Sequence, residues 1–170
     1  MKIYKVNKEA TLPEYATDGS ACFDVKACVK KGQRLKSYNN WNKEMAIVVK
    51  GVGNSQDAFQ LPPDCRCLIP TGLIFDIPKG HVMKMYIRSG TALKKGLQLS
   101  NGTGIIDSDY VEETYIMVTN VTDSLVTIEN GERLAQCLIE KTLQEEIKET
   151  KTAPKQKTNR DGGFGSTGKK

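Results

Sequence analysis

The chain has 170 residues, a formal net charge of +5 and a hydrophobic fraction of 38%, which fits one domain with a buried core. No apolar run is long enough to cross a membrane, and residues 1–5 lack the apolar segment of a signal peptide. Five cysteines without a C-x-x-C pair indicate reduced thiols, not a disulfide scaffold or zinc site. Because the chain has a single histidine, any metal would be held by oxygen ligands. We therefore expect a cytoplasmic protein with no membrane contact.

The positive charge does not by itself identify a partner. Much of the excess lies in residues 141–170, and no basic stretch along the sequence is interleaved with aromatic residues. On charge alone, nucleic acid and a small anionic ligand fit equally well.

The first elements are short strands separated by turns. Residues 2–6 alternate between polar and apolar and predict an opening strand. The Asp18-Gly19 turn precedes a second strand at 22–27, where Asp24 stands at a position that an apolar residue would normally occupy. On this pattern alone, Asp24 is most simply a surface-facing strand residue.

The remainder of the chain continues as short strands at near-regular spacing. Residues 28–57 are the least informative part: the pattern predicts loops with one strand at 45–49, and Trp41 covering a small satellite core. Further strands are predicted at 65–69, 70–80, 81–87, 114–121, 125–128 and 134–140, and one short helix at 92–96. This spacing predicts an all-β sandwich or jelly-roll-like barrel over residues 1–140.

Two stretches carry residues suited to chemistry on an anionic ligand. Arg88-Ser89-Gly90 combines a planar guanidinium, a hydroxyl and an unobstructed backbone at a predicted strand end, which suits an oxyanion. In residues 101–110, glycines allow close approach to backbone amides, and Asp107 directly follows the pair Ile105-Ile106, predicted to be buried. The alternative for this second stretch is a plain β-hairpin with a polar tip.

The C-terminal part changes in composition. Residues 141–159 are rich in Lys, Glu, Gln and Thr and predict a linker or mobile arm. Residues 161–168 then offer glycine amides and hydroxyls for anionic oxygens and one aromatic ring, Phe164, for stacking. A disordered terminal segment is the alternative.

Together these segments resemble the trimeric dUTPase family. Its five motifs are recognisable in order at residues 16–24, 88–90, 101–110, 131–136 and 160–168, with framework matches at 70–73 and 77–80. The resemblance covers nearly the whole chain apart from a family-atypical insertion at about 28–57. It implies a homotrimer with active sites at subunit boundaries and a flexible lid in residues 141–170.

The resemblance also implies an activity, the hydrolysis of dUTP to dUMP and pyrophosphate with Mg²⁺. Asp107 would activate the water that attacks the α-phosphorus, and Asp24 would hold Mg²⁺ through waters. Substrate-binding roles would fall to Arg88, Ser89, Gly90, Asn101, Gly104, Ile105, Ile106, Tyr110, Gln136, Arg160, Phe164, Gly165, Ser166 and Thr167. Expected partners are dUTP and further copies of the chain, not nucleic acid or a membrane.

Within this resemblance, the base and the phosphates are bound by different motifs. The hairpin from Asn101 to Ile106 would read the uracil edge, and Tyr110 would lie beneath the deoxyribose. Phe164 would stack on uracil, while Arg160, Ser166 and Thr167 would contact the outer phosphates. Such a lid would expel water and strengthen each charge contact.

The sequence also departs from the family pattern. Val111-Glu112 replaces the usual Arg-Gly, Ile87 stands where proline often occurs, and Arg160 lies one residue nearer to Phe164 than is common. Two alternatives remain open: a dCTP deaminase on a similar fold, and a nucleotide-gated interaction protein whose partner surface is residues 28–57. The presence of both Asp24 and Asp107 favours turnover.

Overall fold

A computed structural model describes residues 1–159 and residue 162. This part of the chain is nearly all β, with one short helix, as the alternation predicts. The elements are β1 (Lys2–Lys5), β2 (Phe23–Lys26), β3 (Arg34–Tyr38), β4 (Glu44–Val48), β5 (Ala58–Leu61), β6 (Arg66–Pro70), β7 (Leu73–Asp76), β8 (His81–Ile87), α1 (Ser89–Lys95), β9 (Leu97–Leu99), β10 (Gly104–Ile106), β11 (Tyr115–Asn120), β12 (Val126–Glu129) and β13 (Arg133–Lys141).

The strands form two larger antiparallel sheets and two smaller strand pairs. One larger sheet has the order β10-β8-β13-β2, and the other has the order β4-β3-β6-β11-β9. The pairs are β1-β7 and β12-β5. Every strand pairing is antiparallel. Because strands are pleated, consecutive side chains alternate between the core and the outer face, as in β11.

A single apolar core lies between the two larger sheets. Met83 and Cys137 face it from the four-stranded sheet, and Ile69 and Ile116 face it from the five-stranded sheet. Phe75 of β7 stacks on Phe23 of β2, with ring centroids 6.0 Å apart. Since both sheets bury one face against the same cluster, the outer faces are left for function.

The five cysteines are unpaired, and four of them are buried. Burial raises the pKa of Cys67 to about 12 and raises the pKa of Cys137 further. These thiols therefore pack as small apolar groups and stay protonated at neutral pH.

Helix α1 begins earlier than the predicted 92–96 and takes in part of the second motif. Arg88 precedes it in an extended conformation, and Ser89 and Gly90 form its first turn. It ends at Gly96, where φ is +61° and an added Cβ would lie 2.2 Å from the Thr122 Cγ2 atom. Within the described residues, no helix is both long and apolar enough to cross a membrane.

The prediction of a single strand in residues 28–57 is wrong. β3 and β4 form a hairpin that joins the five-stranded sheet through β6, and β5 and β9 are further strands that the pattern missed. In β3 the buried alternate positions are Leu35 and Ser37, and the Ser37 hydroxyl donates to the Met45 carbonyl at 2.9 Å. A strand with one apolar residue among charged ones resembles a loop by composition. Trp41 is 74% exposed at the hairpin tip and covers no core.

Candidate active site

A charged cluster forms where β2, β13 and the end of β8 meet. Asp24 lies on β2, and its Oδ1 atom lies 2.9 Å from the Arg88 Nε atom. Its Oδ2 atom accepts a hydrogen bond from the Arg133 guanidinium at 3.1 Å. The Asp24 side chain is 15% exposed, so its charge is balanced by these two cations and not by solvent alone.

The backbone holds Arg88 rigidly at this cluster. Its amide donates to the Leu134 carbonyl at 3.0 Å, and its guanidinium reaches the Arg133 carbonyl at 3.3 Å. Ser89 and Gly90 follow as the first helical residues, whose amides have no partner within the helix. Three candidate phosphate-binding residues therefore stand together at a strand-to-helix junction.

Gln136 connects the charged cluster to the middle of the sheet. It pairs with Asp24 on one side and with Tyr86 on the other. Directly paired residues of antiparallel strands project to the same face, so Gln136 shares the outer face with Asp24. The structure thus brings together the candidates from the first, second and fourth motifs.

The candidates from residues 101–110 line a separate cavity of about 320 Å³. Asp107 lies at this cavity, and the Tyr110 amide donates to the Asp107 carbonyl at 3.2 Å. The Tyr110 hydroxyl donates to the Glu113 carbonyl at 2.9 Å, which fixes the ring. The lining residues are Leu68, Met85, Leu99, Asn101, Gly104, Ile105, Ile106, Asp107, Tyr110, Thr114, Tyr115 and Met117.

Packing against β8 favours glycine at position 104. An added Cβ there would lie 3.0 Å from the Met85 Cβ atom, which is part of the neighbouring strand. Ile106 is buried against the core, but Ile105 is 56% exposed. The prediction that both isoleucines are buried is therefore wrong, because adjacent strand residues face opposite sides.

Within one chain, the cavity and the charged cluster are far apart. Asp24 pairs with Gln136 of β13. Ile106, the residue before Asp107, pairs with Met83 of β8, and Met83 in turn pairs with Ile139 of β13. Strand spacings place the two carboxylates about 14 Å apart across the sheet and about 13 Å along it, or about 20 Å in all. No residue lines both this cavity and the one beside Asp24.

Several residues at these two places were not assigned from the sequence. Arg133 binds Asp24 from 109 positions away in the sequence. Its place in the fourth motif, near Gln136, was the signal that could have identified it. Met85, Tyr115 and Met117 line the cavity. The sequence predicts that they lie on strands but does not show that they meet at one cavity. Burial, followed by the hydrogen bond to Glu113, raises the pKa of Tyr115, so its hydroxyl stays protonated at the cavity.

Comparison with known proteins identifies the family. The chain matches the family profile described as dUTPase over residues 54–168. It is 34% identical over 168 residues to the deoxyuridine 5'-triphosphate nucleotidohydrolase of Hydrogenobaculum sp. (strain Y04AAS1), covering 99% of this chain and 97% of that protein. The chain belongs to the dUTPase family.

Other members of the dUTPase family agree with this assignment. The protein of the same name from Brucella melitensis biotype 2 (strain ATCC 23457) is 36% identical over 162 residues, covering 95% of this chain and 87% of that one. The dUTPase of Staphylococcus bacteriophage 80alpha, solved with dUPNHPP, shares the fold with a TM-score of 0.73 at 22% identity. That comparison covers 98% of this chain and 97% of the phage chain.

Most of the fifth dUTPase motif lies outside the described residues. Five predicted site residues lie outside the described residues, namely Arg160, Phe164, Gly165, Ser166 and Thr167. In residues 1–159 and 162, no group of three or more His, Cys, Asp or Glu side chains is arranged to hold a metal ion.

Proposed function

We propose that this dUTPase hydrolyses dUTP to dUMP and pyrophosphate, which would supply dUMP for thymidylate synthesis and keep uracil out of DNA. Family membership and the names of the relatives support this activity. The observation that carries it is the position of Asp107 beside a cavity of about 320 Å³, a volume that falls within the usual range for small ligands.

In this proposal Asp107 acts as the general base. Its carboxylate orients a water and takes a proton from it as the water attacks the α-phosphorus. The neighbouring Tyr110 amide already holds the Asp107 carbonyl, which limits movement of the residue. The attack releases pyrophosphate from the opposite side of the phosphorus.

Arg88, Ser89 and Gly90 bind the triphosphate. The Nε atom of Arg88 contacts Asp24, and one of its Nη1 hydrogens contacts the Arg133 carbonyl, which leaves the other guanidinium N–H groups for phosphate oxygens. The Ser89 hydroxyl and the Gly90 amide stabilise charge that develops on the leaving oxygen. Gln136, on the same face as Asp24, completes this set.

The donor set fits a magnesium ion held mainly by phosphates and water. Mg²⁺ commonly binds one or two carboxylates and keeps several waters. Both Asp24 oxygens accept a contact from an arginine, and each oxygen keeps lone-pair capacity for a metal-bound water. When bound, the ion neutralises charge on the phosphate oxygens. Asp24 is the residue that would hold it, through water.

The hairpin selects the base. Asn101 and the backbone around Gly104 and Ile106 offer amide and carbonyl groups to the uracil edge, in a slot too narrow for the thymine methyl. The exposed Ile105 lines the same cavity, and Tyr110 lies beneath the deoxyribose, where a 2′-hydroxyl would not fit.

The enzyme acts as a homotrimer in this proposal. A carboxylate about 20 Å from the phosphate-binding cluster cannot activate a water at the α-phosphorus of the same substrate. Bringing the two groups to one substrate therefore needs a second copy, which supplies its Asp107 to this cluster. Residues 141–170 then serve as the linker and lid of a core formed by residues 1–140. The lid contacts come from Arg160, Phe164, Gly165, Ser166 and Thr167 of a third copy.

The proposed enzyme also has a protein partner and acts in a reducing compartment. The insertion at 28–57 serves as a contact surface for a protein partner, which its exposed hairpin supports. The five unpaired cysteines support a reducing compartment such as the cytoplasm.

A direct test is to mix the protein with Mg²⁺ and dUTP, dTTP, dCTP or UTP and to measure pyrophosphate. We expect release from dUTP and little from the other three. Release of ammonia from dCTP would instead indicate the deaminase alternative. Binding of dUTP without pyrophosphate release would indicate an interaction protein, and either result would contradict the proposal.

A further inference from the structure

The outer edge of β4 carries backbone groups with no partner among the described residues. β4 (Glu44–Val48) pairs with β3 and with no other strand. The Asn39 amide donates to the Lys43 carbonyl at 3.1 Å, and the Val49 amide donates to the Gln33 carbonyl at 2.8 Å. Hydrogen-bonded and non-hydrogen-bonded pairs alternate in an antiparallel ladder. These two bonds therefore fix the orientation of every amide between them.

By this alternation, the amide and carbonyl groups of Glu44, Ala46 and Val48 point away from β3. The next residue in the series, Lys50, shows the same orientation, because its amide donates to the Ala58 carbonyl of β5 at 2.9 Å. β5 therefore occupies the edge at Lys50 but leaves the three preceding positions open. An open edge of this kind is a template for pairing with another strand.

The side chains along this edge leave room for an added strand. Glu44, Ala46 and Val48 all project to the exposed face, and Val48 is 40% exposed. Ala46, at the centre, extends no farther than its Cβ atom. An extended segment laid beside β4 would thus meet a nearly flat surface with an apolar residue at one end.

The charge around the edge is strongly positive. Residues 28–57 contain six basic and two acidic residues, a net charge of +4. Lys43 and Lys50 lie at the two ends of β4, and Arg34 pairs with Val48 on the outer face. Within the described chain, none of these three cations forms a salt bridge. Electrostatic complementarity therefore favours an acidic occupant.

The aromatic residues of the hairpin argue for a peptide over single-stranded nucleic acid. Folding places cations beside an aromatic ring, which the sequence pattern did not show: the Lys36 Nζ atom lies 5.7 Å and the Arg66 guanidinium 5.8 Å from the Tyr38 ring centroid. These contacts compete with base stacking on Tyr38, leaving Trp41 as the exposed ring of the hairpin. Nucleic-acid surfaces of this type use successive stacking rings.

We propose that β4 binds an extended acidic segment of a partner protein as an added strand. Main-chain hydrogen bonds to Glu44, Ala46 and Val48 supply the affinity, and the surrounding cations supply the preference for acidic residues. A five-residue edge is about 17 Å long, so the contact is small and suits a transient complex. Strand addition specifies how the proposed partner surface at residues 28–57 would bind, and it does not depend on dUTP hydrolysis.

The test uses a capped peptide that alternates glutamate and valine. Trp41 is the single tryptophan and lies at the hairpin tip, so its fluorescence reports binding. We expect the full-length protein to bind this peptide and Ala46→Pro to weaken binding by about tenfold or more, because proline removes the edge amide. The matched control Ala46→Ser keeps the amide and should bind within about twofold of the parent. The double variant Lys43→Gln and Lys50→Gln should bind more weakly and lose most of the salt dependence.

Each alternative has its own outcome in this experiment. The far-UV circular dichroism spectrum should be unchanged in all variants, which shows that Ala46→Pro has folded. No binding by the parent protein would mean that the lysines prevent edge pairing and would overturn the proposal. Tighter binding of oligothymidylate than of peptide, unaffected by Ala46→Pro, would assign the surface to nucleic acid. Concentration-dependent assembly that Ala46→Pro abolishes would assign the edge to a second copy of the chain.

Discussion

The charged cluster at Asp24 lies on the four-stranded sheet, whereas the cavity at Asp107 is lined by strands of both larger sheets, and the two are built in opposite ways. Asp24 is held by ion pairs to Arg88 and Arg133 from two other segments. The cavity is walled mainly by apolar and aromatic side chains, with Asp107 among the few polar groups. In the proposed enzyme, the cluster binds the phosphates and the cavity selects the base, so neither place alone is a complete site.

The largest expected effect comes from removing the carboxylate of Asp107, the proposed general base at the cavity. Asp107→Asn keeps the shape of the side chain but cannot accept the proton of the attacking water, so kcat should fall by about 10²- to 10⁴-fold. Binding of dUTP, measured by calorimetry, should change little. The matched control is Asp109→Asn, an exposed carboxylate two residues away, for which kcat should stay near that of the parent. Comparable rates for Asp107→Asn and the parent would remove Asp107 from its role.

A second experiment compares the two arginines of the charged cluster. Arg88→Ala removes a phosphate donor and one partner of Asp24, so kcat should fall by about 10²-fold. Arg133→Ala should have a smaller effect, because its side chain is 51% exposed, against 29% for Arg88. Steady-state kinetics at saturating and low dUTP separate kcat from KM. If Arg133→Ala proves the more damaging variant, Arg133 and not Arg88 binds the phosphates.

A third experiment separates packing from binding at the cavity. Ile106 is 8% exposed, so Ile106→Ala should lower the free energy of unfolding by about 2–4 kcal/mol. Ile105→Ala should change it by about 0.5 kcal/mol or less but should raise KM for dUTP. Denaturant unfolding and kinetics on the same preparations measure both quantities. Equal stability losses for the two variants would show that Ile105 is buried in the assembled protein.

The smallest expected effect concerns the thiol of Cys67, which is buried in the core. Burial raises the pKa of Cys67 to about 12, so the unfolded chain loses this proton at a lower pH than the folded chain. Stability contributed by the protonated thiol is therefore lost as pH rises above about 9, at about 1.4 kcal/mol per pH unit. Cys67→Ala should reduce the fall in unfolding free energy between pH 8 and pH 10. An identical fall in the variant and the parent would show that Cys67 does not contribute.

The sequence predicted the strands that alternate clearly and the residues that belong to motifs. The strand at His81–Ile87 and the segments around Asp24 and Gln136 were found because apolar periodicity and motif residues coincide there. In the hairpin, the strand at Glu44–Val48 was predicted to within one residue, but its partner Arg34–Tyr38 was missed, since charged residues on its outer face hide the period of two.

Other features depend on contacts that no local pattern encodes. The ion pair between Asp24 and Arg133 joins residues 109 positions apart. The exposure of Ile105 follows from its register with β8, which fixes the face to which each hairpin side chain points. In the proposed trimer, the relation between Asp24 and Asp107 depends on how copies of the chain assemble, which lies beyond the folding of any one chain.

The most direct test of the central claim is to mix two inactive variants. Asp107→Asn supplies an intact charged cluster, and Arg88→Ala supplies an intact base. If each site joins the cavity of one copy to the cluster of another, refolding the two variants together at equal ratio should restore roughly a quarter of the sites. Each variant refolded alone should stay inactive. A mixture as inactive as its components would show that both groups must belong to the same chain and would contradict the account.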